Sequence, residues 1–425
     1  MSARPPVFVM NLYYTGIGIA RNLDGLGVDV FGLSAEPDAP GVRSRFLRDV
    51  YTVPNSRDEP RALSERLMEI RQEHALAPVI FPTRDADVLF LHEYADLLSG
   101  HYCLPPSRDA ARLLMDKLLL AALAHECDIA VPKTALCSSE VDLEQAAAEF
   151  AFPLVIKPRM AEEWRSRGAW EKVGARKAIP VDTPAELRDE YRKVAAVSRE
   201  VLLQEYVAGE DSDIVVCCCC IGRDGRWLGH FTGKKLRQNP PLFGTGCLVE
   251  ATPVPEIIEP SRHLLEACRY SGLAEVEFKR DRASGRFVLI EVNPRHWDQH
   301  ELGRLVGVNL TRIAYEDWIG LVPEPCLPDV YTARRPRWIA EQEALYLIAR
   351  NTARKLAAAR ARGATIASQA GILKAAVAEA FDIFCSKPRL FSILSSRDPI
   401  PGLIFCSRLF RETVRLAART LQRHS

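Results

Sequence analysis

The stretch VLIEVNPRHW, Val288 to Trp297, decides how this chain is interpreted. Its apolar residues predict a buried strand, yet Glu291, Asn293 and Arg295 follow one another at every second position. Side chains two residues apart on a strand point to the same face, so these three groups project together. Burying a carboxylate, an amide and a guanidinium costs free energy unless a charged ligand compensates them. The stretch therefore indicates the wall of a binding site.

A second acid is expected to reach the same place from a neighbouring strand. The segment AEVEFKRDRASGRFVLIEVNPR predicts a hairpin with its turn at Ala283 to Gly285. Strand pairing around this turn can bring Glu277 beside Glu291. Two carboxylates and the Asn293 oxygen form an all-oxygen set, which suits Mg²⁺. We predict these three residues as metal ligands, and Arg295 as a catalytic group that holds a carboxylate or a transferring phosphoryl group.

The bulk composition excludes several classes of protein. The chain has 425 residues, of which 48% are hydrophobic and 26% charged, and a net charge of +1. These values are typical of a soluble globular protein of two or three domains. The small net charge does not favour a nucleic-acid partner. The twelve cysteines include no paired CxxC motifs at zinc-ligand spacing. We expect free thiols in a reducing, cytoplasmic compartment.

Short apolar runs alternate with helical stretches at the start of the chain. Strands are expected at Val7 to Met10, in VDVFGLS and in PVIFPT, which predicts βαβ units and a parallel sheet. The stretch TGIGIA has only part of a dinucleotide-binding fingerprint. A tight turn is the favoured interpretation, so a dehydrogenase is the least supported class.

Two lysines precede the hairpin in positions that suit phosphate binding. The segment ARLLMDKLLLAALAHE predicts one amphipathic helix, with Asp116 and Lys117 in its middle. FPLVIKPRM predicts a buried strand that ends at Lys157. Between these lysines and the hairpin lies LLQEYVAGEDSD, an extended segment and an acidic turn. Its backbone can meet a purine edge, and Asp211 or Glu210 can take ribose hydroxyls.

Taken in order, these motifs resemble the ATP-grasp family over Asp116 to Ile319, and within it the carboxylate–amine ligase subgroup that includes D-aspartate ligase. The resemblance implies an α/β protein with a Rossmann-like domain (1–106), an ATP-grasp domain of two α+β subdomains that clasp ATP (107–325) and a mostly helical basic region (326–425). It also implies a set of nucleotide-binding residues, namely Lys117, Lys157, Gln204, Glu205, Tyr206, Val207 and Asp211.

The resemblance also implies an activity. ATP would activate a small-molecule carboxylate as an acylphosphate, with Mg²⁺ (or Mn²⁺ in its place), and an amine would displace the phosphate. An amino acid or a related small acid is the expected substrate. A homodimer is a possible assembly, and the sequence does not decide the oligomeric state. Two alternatives stay open: an ATP-grasp enzyme with another acid and nucleophile, and a nucleotide-binding regulatory protein without turnover. The presence of both hairpin carboxylates favours an enzyme.

Two segments depart from the family pattern. The segment from Arg159 to Lys177 is long and rich in basic and aromatic residues, whereas many members of the family have a small Gly/Ser-rich loop there. Within them, Lys172 and Lys177 are the candidates for contacts with ATP. The segment GKKLRQNPPLFGTG predicts an exposed basic loop, in which Lys235 and Arg237 are candidate catalytic residues that bind an acidic substrate.

The C-terminal region is basic. From Tyr331 onward there are 17 Lys and Arg residues against 6 Asp and Glu residues. The final segment predicts a helix with arginines on one face (Arg408, Arg411, Arg415, Arg419 and Arg423) and apolar residues opposite (Leu403, Phe410, Val414, Ala417 and Leu421). Packing of this apolar face on the acidic remainder of the chain is favoured over peripheral contact with an anionic membrane.

Overall fold

The computed structural model describes residues 4–166, 168–328, 335–385 and 388–422, with side chains given as far as Leu409 and at Arg411. Three sheets build it, one of four parallel strands, one of four antiparallel strands and one of seven strands. None of the helices in these ranges combines the length and the apolarity that a membrane span requires. The three-part division of the chain proposed from the sequence stays a prediction.

The first sheet is parallel, as the alternation of apolar and helical stretches predicted. Its strand order is β3-β2-β1-β4. The strands are β1 (Val7–Met10), β2 (Val30–Ser34), β3 (Asp49–Thr52) and β4 (Val79–Phe81), and the helices are α1 (Tyr14–Asn22), α2 (Pro60–Arg71), α3 (Asp85–Glu93) and α4 (Ala95–Leu98). Strand β3 was not predicted, because none of its four residues is buried and no apolar run marks it.

The expected single helix around Lys117 is wrong, since two helices occupy that stretch. They are α5 (Arg108–Met115) and α6 (Lys117–Glu126). Asp116 separates them with an extended backbone (φ −81°, ψ 108°), and its carboxylate accepts the N–H groups of Leu118 and Leu119. An aspartate at this position stabilises a helix start, which competes with continuation of the helix. Lys117 is consequently the first residue of α6.

A small antiparallel sheet follows, in the order β5-β8-β6-β7. Its elements are β5 (Thr134–Cys137), α7 (Glu140–Glu149), β6 (Leu154–Lys157), α8 (Ala169–Lys172), β7 (Ile179–Val181), α9 (Pro184–Ala195) and β8 (Val201–Glu205). Leu143, Leu154 and Leu187 lie in its separate core. Because β6 and β8 are antiparallel neighbours, Lys157 at the end of β6 pairs with Leu202 near the start of β8.

The large sheet has the order β13-β12-β9-β10-β11-β14-β15. Its elements are β9 (Ile214–Ile221), β10 (Trp227–Asn239), β11 (Thr245–Ala251), α10 (Ile258–Ala267), β12 (Gly272–Arg280), β13 (Phe287–Asn293), α11 (Leu302–Leu305), α12 (Leu310–Trp318), β14 (Arg337–Ile339), α13 (Glu341–Ala361), α14 (Ile366–Cys385), β15 (Arg389–Phe391) and α15 (Pro399–Gln422). The basic region therefore adds two strands to this sheet.

The four consecutive cysteines of β9 show how the sheet is packed. Cys217 and Cys219 lie in the core on one face, whereas Cys218 and Cys220 lie in the core on the other. This alternation is the period of two that a strand imposes. The second of these cores also contains Val7 and Val9 of the first sheet, so the first sheet packs against this face of the large one. All twelve cysteines are free thiols.

The last helix packs on the body of the protein through residues other than those predicted. Phe405 is buried with Ile17 and Ile393, and Leu409 packs against them. Leu403, which the sequence placed on the buried face, is 68% exposed, so this part of the prediction is wrong. Of the predicted arginine face, Arg408 donates to the Asp38 carbonyl at 3.2 Å. The remaining residues of both faces lie outside the described side chains, Arg411 excepted.

Candidate active site

A cavity of about 300 Å³ lies where the three sheets meet. Its wall contains most of the residues predicted from the sequence, together with several that were not predicted. The predicted members are Lys117, Lys157, Lys177, Gln204, Glu205, Tyr206, Val207, Lys235, Glu277, Glu291, Asn293 and Arg295. The structure thus brings together groups that are up to 178 positions apart in the chain (117 to 295).

The β12–β13 hairpin supplies the acids. Glu277 pairs directly with Glu291 across the two strands, as predicted, and Glu275 pairs with Asn293. The Asn293 amide donates to a Glu275 oxygen at 3.0 Å, and its own oxygen accepts Arg295 Nη2 at 3.1 Å. The three groups of the VLIEVNPRHW stretch therefore do line one cavity.

Among the described residues, Glu291 is the hairpin acid for which no hydrogen bond or ion pair is seen. Its side chain is half-buried in the cavity wall and takes no hydrogen bond or ion pair from the described residues. Burial opposes its ionisation, but the ammonium groups of Lys117, Lys177 and Lys235 outweigh this effect, so the pKa of Glu291 is lowered. An ionised carboxylate that faces a cavity in this way is available to a cation.

Glu277 is held differently, because Lys235 forms a buried ion pair with it. Lys235 lies on β10, where the sequence predicted a loop. That prediction fails because β10 continues to Asn239, and Lys235 points inward beside the hairpin. The Glu277 attraction outweighs burial and raises the pKa of Lys235, so this lysine stays charged. It can neutralise one hairpin acid when no other cation does so.

Arg295 is held by Asp85, which follows β4, and by the neighbouring His296. Its Nε donates to Asp85 Oδ1 at 2.6 Å, and its Nη1 donates to the His296 carbonyl at 2.8 Å. Burial tends to raise the pKa of Asp85, but Arg295 and Arg165 outweigh it and lower the pKa to about 2. With the bond to Asn293, three of the five guanidinium N–H groups are occupied. Two remain for a ligand in the cavity.

Three of the lysines in the cavity wall, Lys117, Lys157 and Lys177, come from different elements. Lys117 begins α6, and Lys157 ends β6 and donates to Gln204 Oε1 at 2.7 Å. Lys177 donates to Thr245 Oγ1 at 2.6 Å, which joins the segment before β7 to the start of β11. Burial and the neighbouring Lys117 lower the pKa of Lys157 to about 8. Such a concentration of ammonium groups suits a polyanion.

The segment after β8 forms the apolar end of the cavity. The N–H groups of Glu205 and Tyr206 donate to the carbonyls of Lys133 and Pro153. Within the described part of the chain, no hydrogen bond takes the Val207 N–H. The rings of Tyr206 and Phe243 lie 6.1 Å apart, and the wall continues with Val155, Ile214, Leu242 and Ile290. A flat, partly polar ring fits such a wall.

Three predicted site residues lie outside the cavity wall. A register shift in β10 between Lys235 and Arg237 turns Arg237 away, so its side chain is 50% exposed near Glu379. Lys172 ends α8 and is exposed. The Asp211 carboxylate accepts the N–H groups of Gln238 (2.9 Å) and Leu242 (2.7 Å) and the Gln238 side chain (3.2 Å). Asp211 therefore fixes the loop before Phe243 instead of facing the cavity.

Other wall residues were not predicted. Glu275 is fully enclosed, and burial raises its pKa to about 7. Glu275 lies two residues before Glu277 on the same strand, and this spacing predicts that both side chains lie on one face. Thr83, Arg84 and Asp85 follow β4, and no short-range pattern connects them with a hairpin 200 positions later. Asp298, Gln299, Trp164, Trp170 and Arg165 also line the wall.

The long segment before β7 reaches across to the first domain. It forms a 3₁₀ turn at Ala161–Trp164 and then α8. Arg57 donates two hydrogen bonds to the Glu162 carboxylate, at 2.6 and 3.1 Å. Trp164 is buried and faces the cavity. This segment therefore covers one side of the cavity with large side chains.

The oxygen groups of the hairpin fit a magnesium ion by chemistry. Within the described ranges, no cluster of three or more His, Cys, Asp or Glu side chains has a metal-binding arrangement. The candidate set instead has two carboxylates, Glu277 and Glu291, and the Asn293 oxygen. Mg²⁺ takes one or two protein carboxylates and completes its shell with phosphate and water. The unpaired Glu291 carboxylate is the observation that makes this set suitable.

Comparison with known proteins identifies sequences that are similar to this chain. The chain is 27% identical over 244 residues to D-aspartate ligase of Enterococcus faecium (strain Aus0004), over 53% of this chain and 56% of that protein. It is 29% identical over 188 residues to D-alanine–D-alanine ligase of Ectopseudomonas mendocina (strain ymp), over 43% and 56%. The chain thus spans about half the length of the curated relatives it matches. No family model matches it.

Solved structures decide the fold. N5-carboxyaminoimidazole synthetase from Staphylococcus aureus, complexed with ADP, superimposes with a TM-score of 0.60 at 15% identity, over 76% of this chain and 80% of that one. The protein has the ATP-grasp fold. L-amino acid ligase from Bacillus licheniformis gives a TM-score of 0.57 at 16% identity, over 75% of this chain and 75% of that one. The predicted fold class is confirmed, including a helical C-terminal region.

Proposed function

We propose that the protein is an ATP-dependent carboxylate–amine ligase. The observation that carries the proposal is the juxtaposition in one cavity of the hairpin oxygens, three lysines and a guanidinium with free donors. Acids beside a cluster of cations suit a metal-bound triphosphate, because the acids hold the metal and the cations hold the phosphates. The likeness to D-aspartate ligase and D-alanine–D-alanine ligase supports the same reaction class.

The nucleotide would lie with its base between Tyr206 and Phe243. The free Val207 N–H and the Glu205 carbonyl offer a donor and an acceptor to the purine edge. Lys117 and Lys157 would hold the phosphates at the other end of the cavity, and Lys177 would close over them with Thr245. Glu277, Glu291 and Asn293 would hold Mg²⁺ or Mn²⁺, which when bound neutralises charge on the transferred phosphoryl group.

The reaction would proceed in two displacements. An oxygen of the substrate carboxylate attacks the γ-phosphorus, the bond to the β-phosphate oxygen breaks, and ADP leaves. The amine nitrogen then attacks the acyl carbon, inorganic phosphate leaves with the former carboxylate oxygen, and the nitrogen loses a proton. Arg295, aligned by Asp85 and Asn293, would neutralise developing negative charge with its two remaining N–H groups.

The acid substrate would bind beside Arg295. Cations around that end of the cavity come from Arg84, Arg165 and Lys235, whereas Asp298 offers a carboxylate. Opposite charges in one pocket suit an amino acid or another small acid with a polar substituent. Arg237, the other residue predicted for this role, faces away and is not part of the proposal.

The free thiols of all twelve cysteines support a reducing, cytoplasmic compartment.

The test is phosphate release from ATP by the purified protein, with Mg²⁺ or Mn²⁺, across a panel of D- and L-amino acids, dicarboxylates and bicarbonate. We expect release to need both an acid and an amine, and hydroxylamine to trap the activated acid as a hydroxamate. Release that responds to bicarbonate alone would favour a carboxylase-like reaction. ATP binding without turnover on any pair would favour the regulatory alternative.

A further inference from the structure

The α13–α14 helical hairpin exposes an apolar helix. Of the 20 residues of α14, only Ile383 is buried. Leu373, Val377 and Phe381 follow one another at intervals of four and are 51%, 69% and 69% exposed. Residues four apart lie on one face of a helix, so these side chains form a continuous apolar stripe. A stripe of this kind on a globular protein marks a binding surface.

Among the described residues, the base of this hairpin is the part that packs on the large sheet. Ala344, Ile348 and Ile383 pack with Leu248 and Ile339 of the large sheet. Beyond the base the two helices have almost no buried residues, with Ala359 as the exception on α13. The outer half of the hairpin therefore stands away from the core and presents its side chains to its surroundings.

The charges of the outer half have one sign. Between Ala344 and Ala378 there is no Asp or Glu, and all the charged side chains are cations: Arg350, Arg354, Lys355, Arg360, Arg362 and Lys374. The two acids of α14 lie at its anchored end, where Glu379 is near Arg237 (3.9 Å) and Asp382 pairs with Arg337 (3.2 Å). The surface thus joins an apolar stripe to an uncompensated cluster of cations.

A groove between the two helices offers a binding site for anionic groups. It has a volume of about 630 Å³ and is lined by Arg354, Lys355 and Arg362, with Asn351 and Ser368 beside them. Guanidinium and ammonium groups with neighbouring amide and hydroxyl groups suit a phosphate. The groove is separate from the ATP-sized cavity and shares no lining residue with it.

We propose that the α13–α14 hairpin docks on an anionic phospholipid surface, with Leu373, Val377 and Phe381 among the acyl chains and the cations at the headgroups. Apolar residues flanked by Lys and Arg on an amphipathic helix are the features that bind such an interface. Nucleic acid would use the cations but leave the apolar stripe in water. A second copy of the chain would oppose two clusters of like charge at the hairpin ends.

The test is sedimentation of the full chain with phosphatidylcholine vesicles that contain about one third phosphatidylglycerol, against vesicles of phosphatidylcholine alone. We expect binding to the anionic vesicles only, and release as NaCl rises from about 0.1 to about 0.5 M. Replacement of Leu373, Val377 and Phe381 by Gln, which keeps helix propensity, should reduce the bound fraction about tenfold. A charge variant (Arg354→Gln, Lys355→Gln, Arg362→Gln) should do the same.

Matched controls keep the test specific. Gln at Leu97, Val141 and Leu321 removes three exposed apolar side chains elsewhere (45%, 61% and 46% exposed). Gln at Arg199, Arg280 and Arg286 removes three exposed cations outside the C-terminal region. Both controls should sediment with vesicles like the wild type. Equal loss in controls and hairpin variants would overturn the proposal, as would absence of wild-type binding.

One further outcome would also overturn it. If the wild type is a dimer by light scattering, does not bind vesicles, and becomes a monomer in the apolar hairpin variant, the surface serves a second copy instead. Circular dichroism of each variant checks folding, and the charge variant carries the test if the apolar variant loses helix signal. ATP turnover is not a readout here, so failure of the proposed reaction leaves this result interpretable.

Discussion

Asp85 and Arg295 lie 210 positions apart in the chain and are joined by a bond of 2.6 Å between Oδ1 and Nε. The pair links the end of the first sheet to the hairpin that carries the acids. Both side chains are mostly buried, at 9% and 13% exposure, so the guanidinium is held in one place beside the cavity. The position of Arg295 beside the cavity therefore depends on the contact between the hairpin and the segment that follows β4.

Loss of this pair should impair both stability and turnover. Asp85→Asn leaves the buried guanidinium without its counter-charge, which should lower the free energy of unfolding by about 3 kcal/mol. We also expect kcat to fall at least about tenfold, because Arg295 is no longer aligned. The control is Asp29→Asn, which breaks an exposed pair with Arg48 of the same 2.6 Å length and should change stability by less than about 0.5 kcal/mol. Equal effects of the two variants would contradict this role.

Glu291→Gln should abolish turnover and spare the fold. Glu291 has no hydrogen bond or ion pair to lose among the described residues, and the amide has the same shape. Loss of the carboxylate should lower phosphate release at least about 100-fold. The melting temperature should fall only slightly, because the charge that Lys117, Lys177 and Lys235 attract is lost but no hydrogen bond is broken. In Glu277→Gln the ion pair with Lys235 is lost as well, so that variant should also melt at a lower temperature. Near-normal phosphate release by Glu291→Gln would show that the metal assignment is wrong.

ATP affinity should depend on pH through Lys157. Its pKa is lowered to about 8, and the charged form is the one that attracts phosphate. ATP binding therefore takes up a proton once the pH exceeds 8, and the affinity should fall by up to about tenfold for each further pH unit. Calorimetry in two buffers of different ionisation enthalpy measures both effects, and Lys157→Arg should shift the fall to higher pH. An affinity independent of pH between 7 and 9.5 would exclude this lysine as a phosphate ligand.

The C-terminal helix should contribute to stability through Phe405. Phe405 is 4% exposed and packs with Ile17 and Ile393, so Phe405→Ala should cost about 3 kcal/mol in thermal or urea unfolding. Leu403→Ala two positions away removes a side chain that is 68% exposed and should change little. Deletion of residues 401–425 should lower the melting temperature at least as much as Phe405→Ala. Unchanged melting after deletion would show that the helix does not pack in solution.

The hairpin acids could be predicted because their arrangement is local. The period of two places Glu291, Asn293 and Arg295 together, and a single turn pairs Glu277 with Glu291. Lys157 was also predictable, since a buried strand ends at it. Asp85 was not, because its partner comes from a distant part of the chain and nothing in either neighbourhood specifies the other.

Errors arose where one local feature overrode a periodic pattern. Asp116 caps a new helix and divides the stretch that the apolar period predicted as one. An irregularity in the β10–β11 pairing separates Lys235 from Arg237, although alternation places them on one face. The carboxylate of Asp211 satisfies backbone N–H groups of a loop that sequence spacing could not locate. In each case a hydrogen bond or a register shift determined which way a side chain points.

The central claim is the activation of a carboxylate by ATP within this cavity. The most direct measurement uses the acid that supports turnover, labelled with ¹⁸O in its carboxyl group, and mass spectrometry of the released phosphate. We predict one labelled oxygen in the phosphate for each amide bond formed, and none in phosphate released by Glu291→Gln. Product formation with unlabelled phosphate would contradict an acylphosphate and with it the proposed reaction.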